Sequence, residues 1–201
     1  LNKIVVSERT YVVLLAALLI SLPLSYGFGT GILITLLAAS LVSARFHKIH
    51  FRRGYLAPML LYGLMIVSLF WTSSTHNSLR GLERQLAMII IPMAFILMPE
   101  ISMRSRNSIL YAFSIGLSIF ALFFFALAGV DYLEAGNVNR FFYHALVSPL
   151  ELNAIYISVL VSLSGLFLLF VQRKTAIVIC LLIVHAIFLV LLASKIIIVI
   201  T

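Results

Sequence analysis

A short polar segment between two long apolar runs carries side chains that could do chemistry at a membrane surface. In it, Arg140 and His144 stand four residues apart, which would place them on one face if the segment were helical. Arginine supplies a permanent planar cation for phosphate or carboxylate, and histidine exchanges a proton near neutral pH. The pair therefore predicts an anion site. A second interpretation stays open, in which Arg140 anchors the chain among headgroups and His144 caps or packs a helix.

Three further cations occupy positions where an orientation signal does not explain them. Arg80 and Arg84 are also four apart, with Glu83 beside them, and Lys195 lies between two apolar runs that leave no room for a loop. A cation at a membrane boundary must reach water, a phosphate or a carboxylate, so all three are candidate ligands of an anion. The alternative is that Arg80 or Arg84 pairs with Glu83 and snorkels at the interface.

Two residues inside apolar runs have simpler interpretations. His185 lies near the middle of such a run, where a hydrogen bond between helices is predicted rather than catalysis. Cys180 is the only cysteine in the sequence, which excludes an internal disulfide and a cysteine-based metal site. We expect it to pack as a small hydrophobic residue.

The composition is that of an integral membrane protein. Hydrophobic residues make up 63% of the chain, charged residues 10%, and the mean hydropathy is +1.19. Because a crossing helix needs about 20 mostly apolar residues, the sequence predicts about seven crossings and the start of an eighth. The runs are 11–26, 28–44, 55–71, 82–98, 108–130, 152–171 and 175–193, with the eighth beginning at residue 196.

The first two of these crossings need a turn between them. A single helix over 11–44 would be about 50 Å long, which is well beyond a hydrocarbon core of about 30 Å. The glycine-rich stretch 26–31 is the predicted turn. With that turn, the basic clusters all fall on one side, which the positive-inside rule assigns to the cytoplasm together with the N-terminus. The prediction is an all-α, polytopic transmembrane bundle, with residues 1–201 as a single domain.

Several function classes are disfavoured. The formal charge of +8 falls in short clusters between apolar runs, as orientation signals do, so no nucleic-acid partner is predicted. The sequence lacks a Walker A loop, a His-Glu-x-x-His helix, a Gly-x-Ser-x-Gly elbow and a paired-acid motif. No metal and no cofactor are predicted. An outward-facing set of arginines, a histidine and a lysine suits a polyanion such as a diphosphate.

Four motifs, in order, resemble the O-antigen ligase and O-antigen polymerase-like superfamily of bacterial membrane proteins. They are Phe70-Trp-Thr-Ser-Ser74, Gly81-Leu-Glu-Arg-Gln-Leu86, Arg140-Phe-Phe-Tyr-His-Ala-Leu-Val-Ser-Pro149 with Asn153-Ala-Ile-Tyr156, and Leu192-Ala-Ser-Lys195. The resemblance implies a metal-independent, multi-pass glycosyltransferase of the inner membrane with a periplasmic active face. Such enzymes move a glycan from an undecaprenyl diphosphate carrier to lipid A core or another acceptor, among membrane lipids.

The resemblance also implies roles for particular residues. Arg140 would hold the donor phosphate, Lys195 stands where the family often has Ser-Arg, and His144 would be a supporting residue. Arg80 and Arg84 enter from charge placement alone. The family's catalytic histidine lies in a later periplasmic loop, so it is expected beyond Thr201, and we expect this chain to be the inactive N-terminal part of a longer protein.

Two other classes stay open. A transporter or flippase subunit would line a midplane cavity with polar residues, for which His185 and Pro92 are the only hints. A non-catalytic membrane scaffold would need no ligand of its own.

Overall fold

The structure is a computed structural model that describes residues 6–24, 26–46, 49, 51–171 and 175–192. This part of the chain is all-helical and contains no strand. Its α-helices are α1 (Glu8–Ser21), α2 (Tyr26–Ala44), α3 (Leu56–Val67), α4 (Thr75–Arg84), α5 (Ala87–Leu97), α6 (Met103–Ala135), α7 (Tyr143–Val147), α8 (Ala154–Phe170) and α9 (Ala176–Leu192). Short 3-10 turns flank α3 and lie on both sides of α7.

Three described helical segments are long and apolar enough to cross a membrane. They are Gly27–Ala44, Arg53–Trp71 and Met103–Ala135. The pair Tyr143–Leu150 and Ala154–Phe170, bent by 95°, makes a fourth if it counts as one span, and α9 is a shorter apolar helix. The all-helical class and apolar spans agree with the predicted membrane protein. Seven crossings are not confirmed and remain a prediction, as does the single domain.

The first turn of the chain lies earlier than predicted. Helix α1 ends at Ser21 and α2 begins at Tyr26, so the glycines of the 26–31 stretch lie inside α2 rather than in a turn. Pro23 explains the position, because it cannot donate a backbone hydrogen bond and commonly follows a helix end. The Leu24 N–H donates to the carbonyl of Ser21 over 2.9 Å. Two helices in place of one are confirmed; the glycine turn is wrong.

The chain divides into two compact units, of which the first is Leu1–Arg106. In it α1 packs on α2, and α5 packs on both α2 and α3. Tyr11 is fully buried, and its hydroxyl lies 2.9 Å from the Ala39 carbonyl oxygen and 2.8 Å from Ser43 Oγ. Such polar contacts between apolar helices fix their rotation, since apolar packing alone is similar in many registers.

The second unit, Asn107–Thr201, contains most of α6 together with α7, α8 and α9. Helices α8 and α9 pack closely, and α7 contacts both. Aromatic contacts join α6 to α9, where the Phe188 ring is stacked on Phe124 at 6.2 Å and meets Phe125 edge-on at 5.5 Å. Gly116 on α6 and Gly165 on α8 are also buried in this unit.

Candidate functional site

Helix α4 presents a row of three basic side chains, which we call the basic stripe: His76, Arg80 and Arg84. Residues four apart lie above one another on a helix, so all three share one face. Their side chains are exposed, whereas Leu82 on the opposite side is buried. The helix is therefore amphipathic, which is the pattern of an element that lies at a surface or interface.

Specific contacts within the first unit hold this helix in place. The hydroxyls of Thr72 and Ser78 lie 2.8 Å apart, which ties the segment before α4 to its first turn. The Tyr62 hydroxyl, from α3, donates to the carbonyl of Leu82 over 3.3 Å in a buried position. Phe70 and Trp71, just before α4 in the chain, are 87% and 72% exposed, as aromatic residues of a membrane interface are in the absence of lipid.

The guanidinium groups of the basic stripe make no ion pair with any residue that the structure describes. Within the part of the chain that the structure describes, Arg80 and Arg84 make no ion pair, and Glu83 pairs with neither of them. The predicted alternative of an internal pair with Glu83 is therefore not realised. Both arginines keep their full set of hydrogen-bond donors for an external anion.

Arg140 is in the opposite situation. Its Nε donates to Asp131 Oδ2 at 2.5 Å, and its Nη1 donates to Ser148 Oγ at 3.2 Å. These bonds join the end of α6 to the 3-10 turn that precedes α8. Both members of the ion pair are about 40% exposed, so solvent screens the pair and it contributes at most about 1 kcal/mol.

A cleft of about 220 Å³ surrounds this ion pair, and its lining is acidic on balance. The lining residues are Asp131, Glu134, Ala135, Asn137 and Arg140. Two carboxylates thus face one guanidinium. A diphosphate that entered the cleft would have to displace Asp131 and would meet Glu134 as a like charge, so the surroundings of Arg140 disfavour a polyanion.

The structure does not place Arg140 and His144 on one helix face. Arg140 lies in the 3-10 turn Val138–Phe141 and His144 in α7, which follows Phe142 in extended conformation and begins at Tyr143 with a φ of 51°. The one-face prediction is wrong because no single helix runs through both residues.

His144 has a local structural role. Its Nδ1 accepts the backbone N–H of Ala154, the first residue of α8, at 3.5 Å, and its ring lies 4.0 Å from that of Tyr143. The Asn153 side chain caps the same helix by accepting from the Ile155 N–H at 2.9 Å. The interpretation of His144 as a capping and packing residue is confirmed.

His185 makes the predicted contacts between helices. It is 2% exposed, and its ring nitrogens lie 3.0 Å from Ser164 Oγ on α8 and 3.3 Å from Ser118 Oγ on α6. The serines that surround it were not predicted, since serine is common in apolar helices. The one usable signal is spacing: Ser114 and Ser118 are four apart and share a face of α6.

Neither the remaining candidate residue, the search for metal ligands nor the comparison with known proteins identifies a further site residue. Lys195 lies outside the described residues. Among the residues that the structure does describe, no group of three or more His, Cys, Asp or Glu side chains could hold a metal ion. Comparison with protein-family models, with curated proteins and with solved structures finds no match to this chain.

Proposed function

We propose that this chain holds the diphosphate of a lipid-linked glycan on the basic stripe, as part of a membrane glycosyltransferase of the O-antigen ligase-like kind. The observation that carries the proposal is the pair Arg80 and Arg84, exposed on one helix face and not engaged by any described residue. Arginine forks match phosphate oxygens in pairs of parallel hydrogen bonds. The resemblance of the sequence motifs supplies the reaction class.

The spacing within the stripe suits a diphosphate. Residues four apart on a helix have Cβ atoms about 6 Å apart, so two guanidinium groups can each bind one phosphate of a linked pair. The exposed Phe70 and Trp71 precede the helix and suit the boundary between headgroup and acyl chain. A polyprenyl tail would then lie in the bilayer while its diphosphate meets the stripe.

The main phosphate-binding role moves in this proposal from Arg140 to α4. Arg140 already forms an ion pair with Asp131, in a cleft that a second carboxylate also lines. We assign it to holding the loop before α8, with His144 beside it. Lys195 stays a predicted phosphate ligand on the strength of the motif alone.

The proposal includes a membrane topology. We propose seven crossings in a bacterial inner membrane, with the N-terminus and the basic loops in the cytoplasm and with α4 and the 131–150 segment in the periplasm. Six of the seven predicted runs each overlap one described helix, and the run 82–98 is divided between the end of α4 and α5. The acceptor would be lipid A core or another glycan.

Glycan transfer in isolated membranes that contain the full-length protein, of which this chain is expected to be the N-terminal part, tests the proposal. Arg84→Ala should reduce transfer from an undecaprenyl diphosphate donor while the protein remains inserted at its normal level. Arg53→Ala is the matched control, because Arg53 is exposed at the other end of the apolar segment that finishes at Trp71. Equal transfer by both variants and by the unchanged protein would contradict the proposal.

The same variants test the scaffold class, and a substitution of His185 tests the transporter class. A scaffold should tolerate Arg84→Ala as well as Arg53→Ala, because it needs no ligand on the stripe. A transporter or flippase subunit should instead move substrate in proteoliposomes in a manner that depends on His185. The specific observation in favour of that class is the buried position of His185 among polar side chains.

A further inference from the structure

The second unit contains a buried polar cluster that the proposed function does not use. It consists of His185 on α9, Ser114 and Ser118 on α6, and Ser164 on α8, and each of these residues is no more than 4% exposed. An ionisable side chain at such a position between apolar helices is costly to keep, so its bonding partners determine what it can do. The hydrogen-bond partners of His185 indicate which of its two ring nitrogens carries a proton.

The imidazole is held at both nitrogens. Nδ1 lies 2.7 Å from the carbonyl oxygen of Leu181, and because a carbonyl can only accept, Nδ1 carries a proton. Ser118 Oγ is a second and longer contact of the same nitrogen, at 3.3 Å. The other nitrogen, Nε2, lies 3.0 Å from Ser164 Oγ. The protonation state of Nε2 therefore depends on what Ser164 does with its one hydroxyl proton.

The hydroxyl proton of Ser164 is directed away from the ring. Ser164 donates to Ser114 Oγ over 2.7 Å, and Ser114 donates in turn to the Leu110 carbonyl over 2.9 Å. Each hydroxyl has a single proton, so the contact between Nε2 and Ser164 is a hydrogen bond only if Nε2 donates. The complete set of bonds thus belongs to an imidazolium, with a proton on both nitrogens.

A neutral ring has one proton fewer and requires the opposite arrangement. Ser164 must then donate to Nε2, Ser114 must donate to Ser164, and the Leu110 carbonyl loses its side-chain donor. We propose that Ser114, Ser164 and His185 form a buried proton-binding site in which protonation of the ring is coupled to reversal of the two serine hydroxyls. The same heavy-atom positions serve both states, since only hydrogens move.

Within the cluster, the two hydroxyls relay a proton supplied by the solvent from Ser114 to the ring. A proton that binds Ser114 Oγ displaces the original hydroxyl proton of Ser114 to Ser164 Oγ. The original proton of Ser164 then moves to Nε2, so one N–H bond forms and each hydroxyl keeps one O–H bond. The end state has Nε2 donating to Ser164, Ser164 to Ser114 and Ser114 to Leu110, which is the arrangement derived above for the imidazolium.

The charge on the ring would be balanced by dipoles rather than by a counter-ion. Helices α8 and α9 contain no Asp, Glu, Lys or Arg, and those of α6 lie near its two ends, at Arg104, Arg106, Asp131 and Glu134. The titratable groups of α7 are Tyr143 and His144, which contact each other, and His144 also contacts the Ala154 N–H. The polar groups that contact the ring nitrogens are the Ser118 and Ser164 hydroxyls and the Leu181 carbonyl.

Nitrogen-15 NMR of histidine-labelled protein in nanodiscs tests the proposal, because the shifts of the two ring nitrogens report the tautomer and charge. The His185 signals are identified by their loss in His185→Gln. The neutral ring should carry its proton on Nδ1. In Ser164→Ala the imidazolium loses the acceptor of its Nε2 proton, so the pH midpoint of ring protonation should fall by about one unit, a ten-fold loss of proton affinity.

Two further variants make the test specific. Ser114→Ala should lower the midpoint by less, because Ser164 still contacts the ring. Ser162→Ala is the matched control on α8, since the Ser162 hydroxyl bonds to the Ser158 carbonyl of its own helix, and it should leave the midpoint unchanged. A neutral ring with its proton on Nε2, or the same midpoint in Ser164→Ala as in Ser162→Ala, would overturn the proposal. The tautomer is measured on the unaltered protein, so it decides even if Ser164→Ala does not fold.

Discussion

Arg84 and Arg140 are the same residue type in similar sequence settings, yet the structure gives them different possibilities. Arg84 lies on α4 with an exposed guanidinium that no described residue engages. Arg140 is bonded to Asp131 and Ser148, in a cleft with a second carboxylate. The comparison teaches that a basic side chain near a membrane boundary is a candidate to bind an anion only if no carboxylate of its own chain already pairs with it.

Removal of both stripe arginines is the strongest test of this difference. In Arg80→Ala/Arg84→Ala, the affinity for a polyprenyl diphosphate in nanodiscs should fall about 100-fold, because two charge-assisted hydrogen-bonding groups are lost at an exposed site. Arg140→Ala should change the affinity less than two-fold. An equal loss in Arg140→Ala, measured by titration of the same lipid, would show that the two arginines are equivalent.

Charge-preserving substitutions separate attraction from geometry. Arg80→Lys/Arg84→Lys keeps both positive charges but replaces planar forks by point charges, so we expect about a ten-fold loss of affinity for the diphosphate. The lysine variant should bind a lipid monophosphate nearly as well as the unchanged protein does. A lysine variant that bound the diphosphate with full affinity would leave the paired-fork geometry without a role.

Removal of the Asp131 charge should allow the cleft around Arg140 to bind a diphosphate weakly, as the basic stripe is proposed to do. Asp131→Asn removes the charge that engages the guanidinium and lowers the negative charge of the cleft, so affinity for the diphosphate should rise about three-fold through a weak second site. The matched control is Glu83→Gln on α4, whose carboxylate pairs with neither stripe arginine. A fall in affinity in Asp131→Asn would contradict the view that Asp131 blocks the cleft.

Glu8, in the first unit, extends the comparison to a carboxylate that accepts a hydrogen bond from a backbone N–H. The pKa of Glu8 lies below its ordinary value of 4.5 because the Ser102 N–H, and then the Ser105 and Ser102 hydroxyls, stabilise the ionised form. A lowered folded-state pKa contributes stability above the unfolded value, and this contribution is lost as pH falls through the folded pKa. The effect should be the smallest of the four, since Glu8 is exposed.

Thermal unfolding at several pH values checks this last expectation. The loss of stability between pH 5 and pH 3 should be smaller in Glu8→Gln than in the unchanged protein, because the amide does not titrate. Glu83→Gln serves as the control for the loss of one exposed carboxylate. Identical pH profiles for Glu8→Gln and the unchanged protein would remove Glu8 from the pH dependence.

Much of the fold could be predicted from composition and spacing. The all-helical class and the apolar spans follow from composition, and the length of 11–44 requires two helices there, whereas the predicted run 82–98 is divided between α4 and α5. The position of the turn between them could not be derived from glycine content, because glycine also fits inside a helix. Pro23 lies in the turn after α1, where its missing backbone donor leaves no helical hydrogen bond unmade.

For the candidate site, the sequence by itself determined which residue types stand near the ends of apolar runs, and that Arg80 and Arg84 share a helix face. Only the tertiary structure decided which charges remain available. Asp131 is nine residues from Arg140 and reaches it because α6 ends between them, whereas Glu83 is one residue from Arg84 and makes no ion pair with it. Ser114, Ser164 and His185 meet only through packing of α6, α8 and α9. Hydrogen bonds depend on distance in space, and residue spacing sets that distance only within one helix.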